Sequence, residues 1–222
     1  MTANTNAAIE QAKADEKRGF VFDKNYTVLK KAPESLAGEY EVPGCVTLIA
    51  NLAFDKCKKL TSVVFPPSVK CIEFEAFASC DALEKVSIKP GLRIIASGAF
   101  VYCQALKRIA LPETVEILGH AVFDGCENLR EAALPENIRK VCADTFESTP
   151  VEKSALAGIP ADKIIPAMDC WEDQEIMRLD DMDNGNTERG GCDGVMEWLL
   201  KYEEDDSLAP YEVFLTPPER EE

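Results

Sequence analysis

The chain has 222 residues and 46% hydrophobic content, enough for one folded domain with an appendage or for two small domains. No stretch approaches the roughly 18 consecutive apolar residues that a transmembrane helix needs, so membrane insertion is not expected. The formal net charge of −16 argues against simple nucleic-acid binding, because an acidic surface repels phosphate groups.

The N-terminal part of the chain predicts a polar segment followed by a small β-hairpin. Residues 1–19 are mixed in charge, and AAIEQAKADEKR within them favours a short helix over a disordered lead. They contain no basic stretch followed by an apolar run, so no secretory signal is recognised and a cytoplasmic location is the default expectation. The motif FVFDKNYTVLKKAP predicts two short strands around Asp23–Asn25, which places a hairpin over Phe20–Lys31 as an N-terminal cap.

An internal repeat of 23 residues follows the hairpin. Phenylalanine recurs at this spacing at Phe54, Phe77, Phe100, Phe123 and Phe146. Cysteine follows three positions later and leucine six positions later, which gives the ladders Cys57, Cys80, Cys103, Cys126 and Leu60, Leu83, Leu106, Leu129. Because several residue types keep the same register, coincidence does not explain the pattern, and the region is a stack of equivalent units.

Each unit predicts one coil of a solenoid. A unit of this size has too few apolar side chains to fold alone, so each coil has to bury them against the same residues of the next coil. Within one unit, Val63 and Phe65 are expected to face inward. Ser62 and Val64 are expected to face outward, which is the alternation of a short strand. Successive strands are expected to pair in parallel in one sheet, and Pro66 and its equivalents to end them, because proline lacks an N–H.

Two stretches carry a known pattern. The segments VPGCVTLIANLAFDKCKKLTSVVFPPSVKCIEFEAFASCDAL and AVFDGCENLREAALPENIRKV follow roughly AFxxCxxLxxVxLPxxVxxI. Over about Phe20 to Pro150 the chain therefore resembles the BspA-type leucine-rich-repeat family. The resemblance implies a leucine-rich-repeat solenoid of the α/β repeat type, in which short parallel strands form a curved sheet on the concave side. Members of that family are often surface or secreted proteins of bacteria and protists that take part in adhesion.

Three parts of the chain are expected: a polar segment at 1–19, the solenoid with its hairpin cap at 20–151, and an acidic segment at 152–222. The last part has 20 acidic and 6 basic residues, whereas the rest has 20 and 18. It is expected to be mainly helical, with one helix at about Met168–Met182, another beginning at Asp193, and an edge strand at Tyr211–Leu215. Two interpretations are open: a cap on the end of the solenoid or a separate acidic interaction module.

The sequence offers no constellation for catalysis, a metal or a cofactor. Four of the nine cysteines are spaced 23 apart and are expected to point the same way, which favours small core residues over metal ligands. The single histidine, His120, is expected to lie in a turn, and no activated nucleophile is expected beside it. The acidic stretch from Asp180 to Gly191 lacks the full pattern of a calcium loop and is interpreted as an exposed turn. We therefore expect that the chain is not an enzyme.

The outward strand positions are the candidate partner-binding surface. One column is mixed in charge and the other is small; they contain Ser62, Lys85, Arg108, Glu131 and Val64, Ser87, Ala110, Ala133. A further column of Lys70, Arg93, Glu116 and Arg139 is mainly basic, so an acidic partner or the chain's own acidic segment is a candidate ligand there. The expected function is a scaffold that binds a protein partner, as a monomer or with weak self-association. The alternative is a surface or secreted adhesin.

Overall fold

The computed structural model describes residues 3–167, which form a solenoid of parallel strands with about six turns. The helices and strands follow in chain order: α1 (Ala3–Glu16), β1 (Val21–Phe22), β2 (Val28–Lys31), β3 (Ala37–Glu41), β4 (Leu48–Ile49), β5 (Lys59–Phe65), β6 (Cys71–Ile72), β7 (Lys85–Ile88), β8 (Ile94–Ile95), β9 (Arg108–Ala110), β10 (Ile117–Leu118), β11 (Glu131–Ala133), β12 (Lys140–Cys142), α2 (Glu152–Ala155), a 3-10 turn (Ala161–Lys163) and β13 (Ile164–Ile165). The helices and the strand expected beyond Met168 lie outside the described residues.

The N-terminal cap consists of α1 and the hairpin of β1 and β2. The predicted hairpin is confirmed: β1 and β2 pair antiparallel, and the Asp23 carboxylate holds the turn by accepting hydrogen bonds from the Thr27 and Val28 backbone N–H groups at 2.7 and 2.8 Å. The helix α1 is anchored by Asp15, which is buried and accepts a hydrogen bond from the Tyr40 hydroxyl at 3.0 Å. Burial, together with the Asp15 charge, raises the pKa of Tyr40, so this hydroxyl remains a donor.

A stack of phenylalanine rings runs through the centre of the solenoid. The rings of Phe54, Phe77, Phe100, Phe123 and Phe146 lie nearly parallel, with successive centroids 4.4, 5.2, 5.6 and 5.2 Å apart. All five rings and the leucine ladder are buried, so the inward positions predicted from the 23-residue period are confirmed. The core therefore continues from coil to coil without a break, as a stack of repeats requires.

The buried cysteines connect neighbouring coils through their thiols. The Sγ atoms of Cys80, Cys103 and Cys126 each lie 3.2 Å from the carbonyl oxygen of a phenylalanine in the preceding coil, namely Phe54, Phe77 and Phe100. Thr149 occupies the next position of the ladder, but its hydroxyl donates to the Phe146 carbonyl of its own coil at 2.6 Å. The thiol ladder between coils therefore ends at Cys126.

The expected single sheet on the strand face is wrong in one respect. The strands do pair in parallel, but they form a three-stranded sheet of β3, β5 and β7 and a two-stranded sheet of β9 and β11. No ladder joins β7 to β9 among the strands of residues 3–167. The strands shorten from seven residues in β5 to four in β7 and three in β9. Fewer residues are therefore available for backbone pairing, and the three-stranded sheet ends at β7.

A second sheet, parallel except for the β1–β2 pair, forms the opposite face. It contains eight strands in the order β1-β2-β4-β6-β8-β10-β12-β13, most of them two residues long. Ile72, Ile95, Leu118 and Val141 recur at the 23-residue spacing and are all buried, but a strand of two residues is too short to show alternation in the sequence. This sheet continues past Val151 to Ile165, because β13 pairs in parallel with β12.

The turns beside the stacked phenylalanines need left-handed backbone, on both sides of the first four rings and after Phe146. Two positions before the ring, Leu52, Glu75, Gly98 and Ala121 have φ between 48° and 63°; two positions after it, Lys56, Ser79, Tyr102, Gly125 and Ser148 have φ between 54° and 69°. This conformation costs roughly 1–2 kcal/mol for a residue with a Cβ. Most coils therefore carry strain that glycine would relieve.

Gly98 and Ala121 occupy equivalent positions and test this strain in both directions. Ala121→Gly is expected to raise the free energy of unfolding by about 0.5–1 kcal/mol, because glycine adopts the observed φ of 50° without steric cost. Gly98→Ala is expected to lower it by about 1 kcal/mol or more. Its added Cβ would also lie 3.0 Å from Glu75 Cγ. Urea unfolding followed by circular dichroism measures both; unfolding free energies equal to the parent's would contradict strain at this position.

Candidate partner-binding groove

A groove of about 730 Å³ opens on the strand face. The residues that line it come from β7, β9, β11 and the segment around α2; they are Lys85, Val86, Ser87, Ile88, Arg108, Ile109, Ala110, Arg130, Glu131, Ala132, Ala133, Val151, Ser154 and Ala155. The groove therefore lies where the strand ladder is interrupted and where α2 rises beside β11.

The floor of the groove shows why there is space at this position. Outward residues such as Ser87 and Ala110 contribute to it, but so do Val86 and Ile109, which belong to the inward column. Ala132 stands in the inward column where the preceding coils have valine or isoleucine, so less side-chain volume fills the core there.

Six of the eight predicted partner-binding residues line this groove: Lys85, Ser87, Arg108, Ala110, Glu131 and Ala133. Val64 is partly exposed but lies outside the groove. The expectation that Ser62 is exposed on the outward face is wrong, because this residue is only 6% exposed. Ser62 lies between Glu39 and Lys85 on the adjoining strands, and its short side chain is covered in that position.

The sequence did not identify Arg130 or the wall formed by Val151, Ser154 and Ala155. Arg130 precedes the outward column by one residue, at the position that the alternation leaves unassigned. The wall follows the last phenylalanine of the repeat, where the 23-residue pattern fades. The one usable signal was the basic character of Lys107 and Arg130 in equivalent positions of neighbouring coils.

Unpaired positive charge is the main electrostatic feature of the groove. Lys85 and Arg108 are exposed, and neither makes an ion pair within residues 3–167. The Arg130 guanidinium donates to the Glu127 backbone carbonyl at 3.1 Å, a contact that leaves its charge uncompensated. Glu131 is the one carboxylate among the lining residues. The groove thus favours a partner that supplies carboxylates.

The column on the other face is not equivalent, although its sequence is also mainly basic. The Glu116 carboxylate accepts hydrogen bonds from Arg93 Nε at 2.9 Å and from Arg139 Nη1 at 3.1 Å. These three side chains come from successive coils and form a partly buried ion-pair ladder. The column considered for an acidic ligand therefore has much of its positive charge neutralised within the solenoid.

The buried thiols are poor nucleophiles. Burial raises the pKa of Cys57 and of Cys126 to about 12, and it raises the pKa of Cys103 well above the ordinary value. Only the thiolate attacks electrophiles or binds metals, so these groups are chemically inert in the folded chain. No group of three or more His, Cys, Asp or Glu side chains within the described part of the chain is placed to hold a metal ion.

His120 has a structural environment. Its Nδ1 faces the carboxylate of Asp144, and its backbone N–H donates to Ser97 Oγ at 3.0 Å. The Ser97 hydroxyl is buried and is bonded to the backbone of His120, not to its imidazole. The three residues therefore tie together the turns of neighbouring coils.

Comparisons with known proteins agree with this architecture. A family profile described as the BspA type leucine rich repeat region matches residues 39–158 in six copies. The sequence matches none of the curated proteins with which it was compared. None of the helices within residues 3–167 has the length and apolar character to span a bilayer.

Two solved structures illustrate the similarity. A leucine rich cell surface protein from Faecalibacterium prausnitzii A2-165 is 27% identical with a TM-score of 0.52, over 69% of this chain and 39% of that one. The pneumococcal vaccine antigen PcpA is 20% identical with a TM-score of 0.52, over 67% of this chain and 45% of that one, which is a similarity of fold. This chain therefore spans less than half the length of either structure.

The raised thiol pKa values predict strong protection from alkylation. At about pH 8, a thiol with a pKa near 12 is ionised in roughly one molecule in ten thousand, so Cys57 and Cys126 should resist iodoacetamide in the native protein. Cys45 is only half-buried, and its pKa is raised by burial to a smaller degree, so it should react first among the described cysteines. Mass spectrometry of timed digests measures each site. Labelling of Cys103 as fast as Cys45 without denaturant would contradict the buried ladder.

The ion-pair ladder predicts a stability effect for Glu116→Gln. The change removes the charge that Arg93 and Arg139 share and leaves two partly buried guanidinium groups facing each other, so the free energy of unfolding should fall by about 1–2 kcal/mol. Glu113→Gln is the matched control, because Glu113 is exposed and makes no ion pair within the described coils. Urea unfolding measures the free energy of unfolding of both variants. An equal decrease in the two variants would contradict a stabilising role of the Glu116 ion pairs.

Proposed function

The chain belongs to the BspA-type leucine-rich-repeat family, and on that premise we propose that it is an interaction protein that binds a protein partner through the groove on its strand face. The observation that carries the proposal is the pair of exposed, unpaired cations, Lys85 and Arg108, beside a floor of small side chains. Their charge attracts a partner, and the small residues let the partner's backbone approach closely.

The dimensions of the groove support a polypeptide ligand. It extends across three successive strands, β7, β9 and β11, and α2 closes one side. Its lining combines partly exposed apolar residues such as Ile88 and Ala132 with charged residues at the rim. An apolar floor with a polar rim is typical of protein interfaces.

The chemistry of the described residues supports a non-enzymatic role. The groove contains cations, small residues and one carboxylate, but no cysteine, histidine or other activated nucleophile lines it. The cysteines of the solenoid lie in the core, and burial raises the pKa of Cys57 and Cys126. Leucine-rich-repeat proteins are generally non-enzymatic scaffolds.

A second candidate function is surface adhesion. It is favoured by the similarity to the F. prausnitzii protein, which is described as a cell surface protein and is 27% identical over 69% of this chain. In that case the partner is an extracellular protein, and a cytoplasmic location is excluded. Protease shaving of intact source cells, with a known cytoplasmic protein as internal control, distinguishes the two locations.

The groove proposal predicts that charge reversal inside it abolishes partner capture. Immobilised full-length protein should retain a partner from source-cell lysate and from extracellular proteins, identified by mass spectrometry. For the purified partner, Lys85→Glu with Arg108→Glu should raise the Kd at least about tenfold, because attraction is replaced by repulsion at two sites.

The control carries the same change of charge at a distant site. Lys24 and Lys30 are exposed on the N-terminal hairpin and make no ion pair within residues 3–167. The variant Lys24→Glu with Lys30→Glu should bind within about twofold of the parent, since only screened, distant charges change. Equal weakening by both double variants would show a non-specific charge effect. Weakening by neither would move the binding site away from the groove.

A further inference from the structure

We infer that the acidic C-terminal segment of the chain itself occupies the groove, with the run Glu203–Asp206 against Lys85, Arg108 and Arg130. The inference deepens the proposed function, because it assigns an occupant to the groove proposed for the partner. The chain's own segment then acts as a pseudo-ligand, and a partner has to displace it.

The distribution of charge supports this occupant. Residues 168–222 contain 18 acidic and 4 basic residues, a balance of −14, whereas the remainder of the chain is nearly neutral at −2. Within that nearly neutral remainder, the groove lining has three cations and one carboxylate. The strongest negative charge of the chain and an unpaired positive cluster are thus tethered to one another, and their attraction does not depend on protein concentration.

The pairing of the other basic residues makes the groove the favoured site. Arg93 and Arg139 already share Glu116, and Lys107 has Glu84 at 3.5 Å. A carboxylate that binds there has to compete with a carboxylate already in place. Lys85 and Arg108 form no ion pair within residues 3–167, although Glu131 lies beside Arg108 on the adjacent strand.

The spacing of the charges also fits. Lys85 and Arg108 occupy equivalent positions of successive coils, and Arg130 precedes the next position of that column, Glu131, by one residue. Because successive coils lie about 4.8 Å apart, the three cations extend over roughly 10 Å along the stack. Glu203, Glu204, Asp205 and Asp206 form the longest uninterrupted acidic run of the chain. In extended form its first and last residues are also roughly 10 Å apart.

The connection is long enough for this contact. The described body ends at Ala167, just beyond β13, on the same end of the solenoid as α2 and the groove. Residues 168–202 lie between this point and the acidic run. A chain of that length spans up to about 110 Å, far more than the width of one coil.

The test is zero-length cross-linking of the full-length protein with a carbodiimide, which joins a lysine amine to a carboxylate only when they are in contact. The expected product links Lys85 to one of the residues Glu203–Asp206, identified by mass spectrometry. Its yield should fall at least tenfold in the variant Arg108→Glu with Arg130→Glu, which keeps the Lys85 amine. The variant Lys24→Glu with Lys30→Glu should give the parent's yield.

Mixing isotope-labelled and unlabelled chains identifies the source of the segment. Cross-links within one isotope class support the intramolecular contact, whereas mixed cross-links would assign the groove to the tail of a second copy and overturn it. Absence of the Lys85 cross-link would also overturn it.

A second measurement separates this inference from the proposed function. The variant Glu203→Gln, Glu204→Gln, Asp205→Asn, Asp206→Asn removes the pseudo-ligand and should bind a synthetic peptide with the sequence of residues 200–208 at least fivefold more tightly than the parent does. Equal affinities would refute occupancy by the tail. If partner capture still depends on Lys85 and Arg108 in that case, the proposed function is supported without occupancy by the tail. A cross-link without groove-dependent capture would instead support occupancy by the tail and contradict the proposed function.

Discussion

The stack of phenylalanine rings is the contact on which the rest of the structure depends. Its centroid spacings, from 4.4 to 5.6 Å, bracket the separation of about 4.8 Å between paired strands, so the core and the backbone ladders share one repeat distance. Four of the five rings are flanked on both sides by a residue in left-handed conformation, and Phe146 on one side; this strain is sustained because the rings are buried. Once the rings fix the distance between successive coils, each of the remaining positions of the 23-residue unit forms a row along the stack. One of these rows is the outward column that carries Lys85 and Arg108.

Much of the fold could be predicted because these rows are composed of large or distinctive side chains. The Phe and Leu ladders identify the core, and the hairpin at Asp23–Asn25 follows from turn chemistry that the structure confirms. The eight-stranded sheet could not be predicted, because a strand of two residues has no alternation to detect. The missing backbone pairing between β7 and β9 could not be predicted either. It depends on how many residues of each coil are extended, whereas the hydrophobic pattern is similar in coils that pair and coils that do not.

The groove could be predicted in part for the same reasons. Alternation along a strand identifies the outward residues, and six of the eight chosen in this way line the groove. Ser62 departs from the pattern because outward direction and exposure are different quantities, and a short side chain between longer ones is covered. Arg130 and the wall at Ser154 were missed because they depend on the place where the repeat stops. The shape of a repeat surface is therefore set by its regular coils, whereas its concave sites arise where the regularity fails.

The two basic columns show how similar sequences give surfaces with different capacities. Arg93 and Arg139 both donate hydrogen bonds to the Glu116 carboxylate, and these contacts stabilise the stack of coils. An acidic ligand would first have to break them. Lys85 and Arg108 form no ion pair within the described residues, although Glu131 neighbours Arg108 on the adjacent strand, so a ligand that approaches them does not first have to break an ion pair. The ion pairs that Glu116 makes in one column, and the absence of a described ion pair to Lys85 or Arg108 in the other, thus decide which face is favoured for binding. A count of basic residues along the sequence favours the column of Lys70, Arg93 and Arg139, with three against two, and only the pairing of the charges in three dimensions favours the other column.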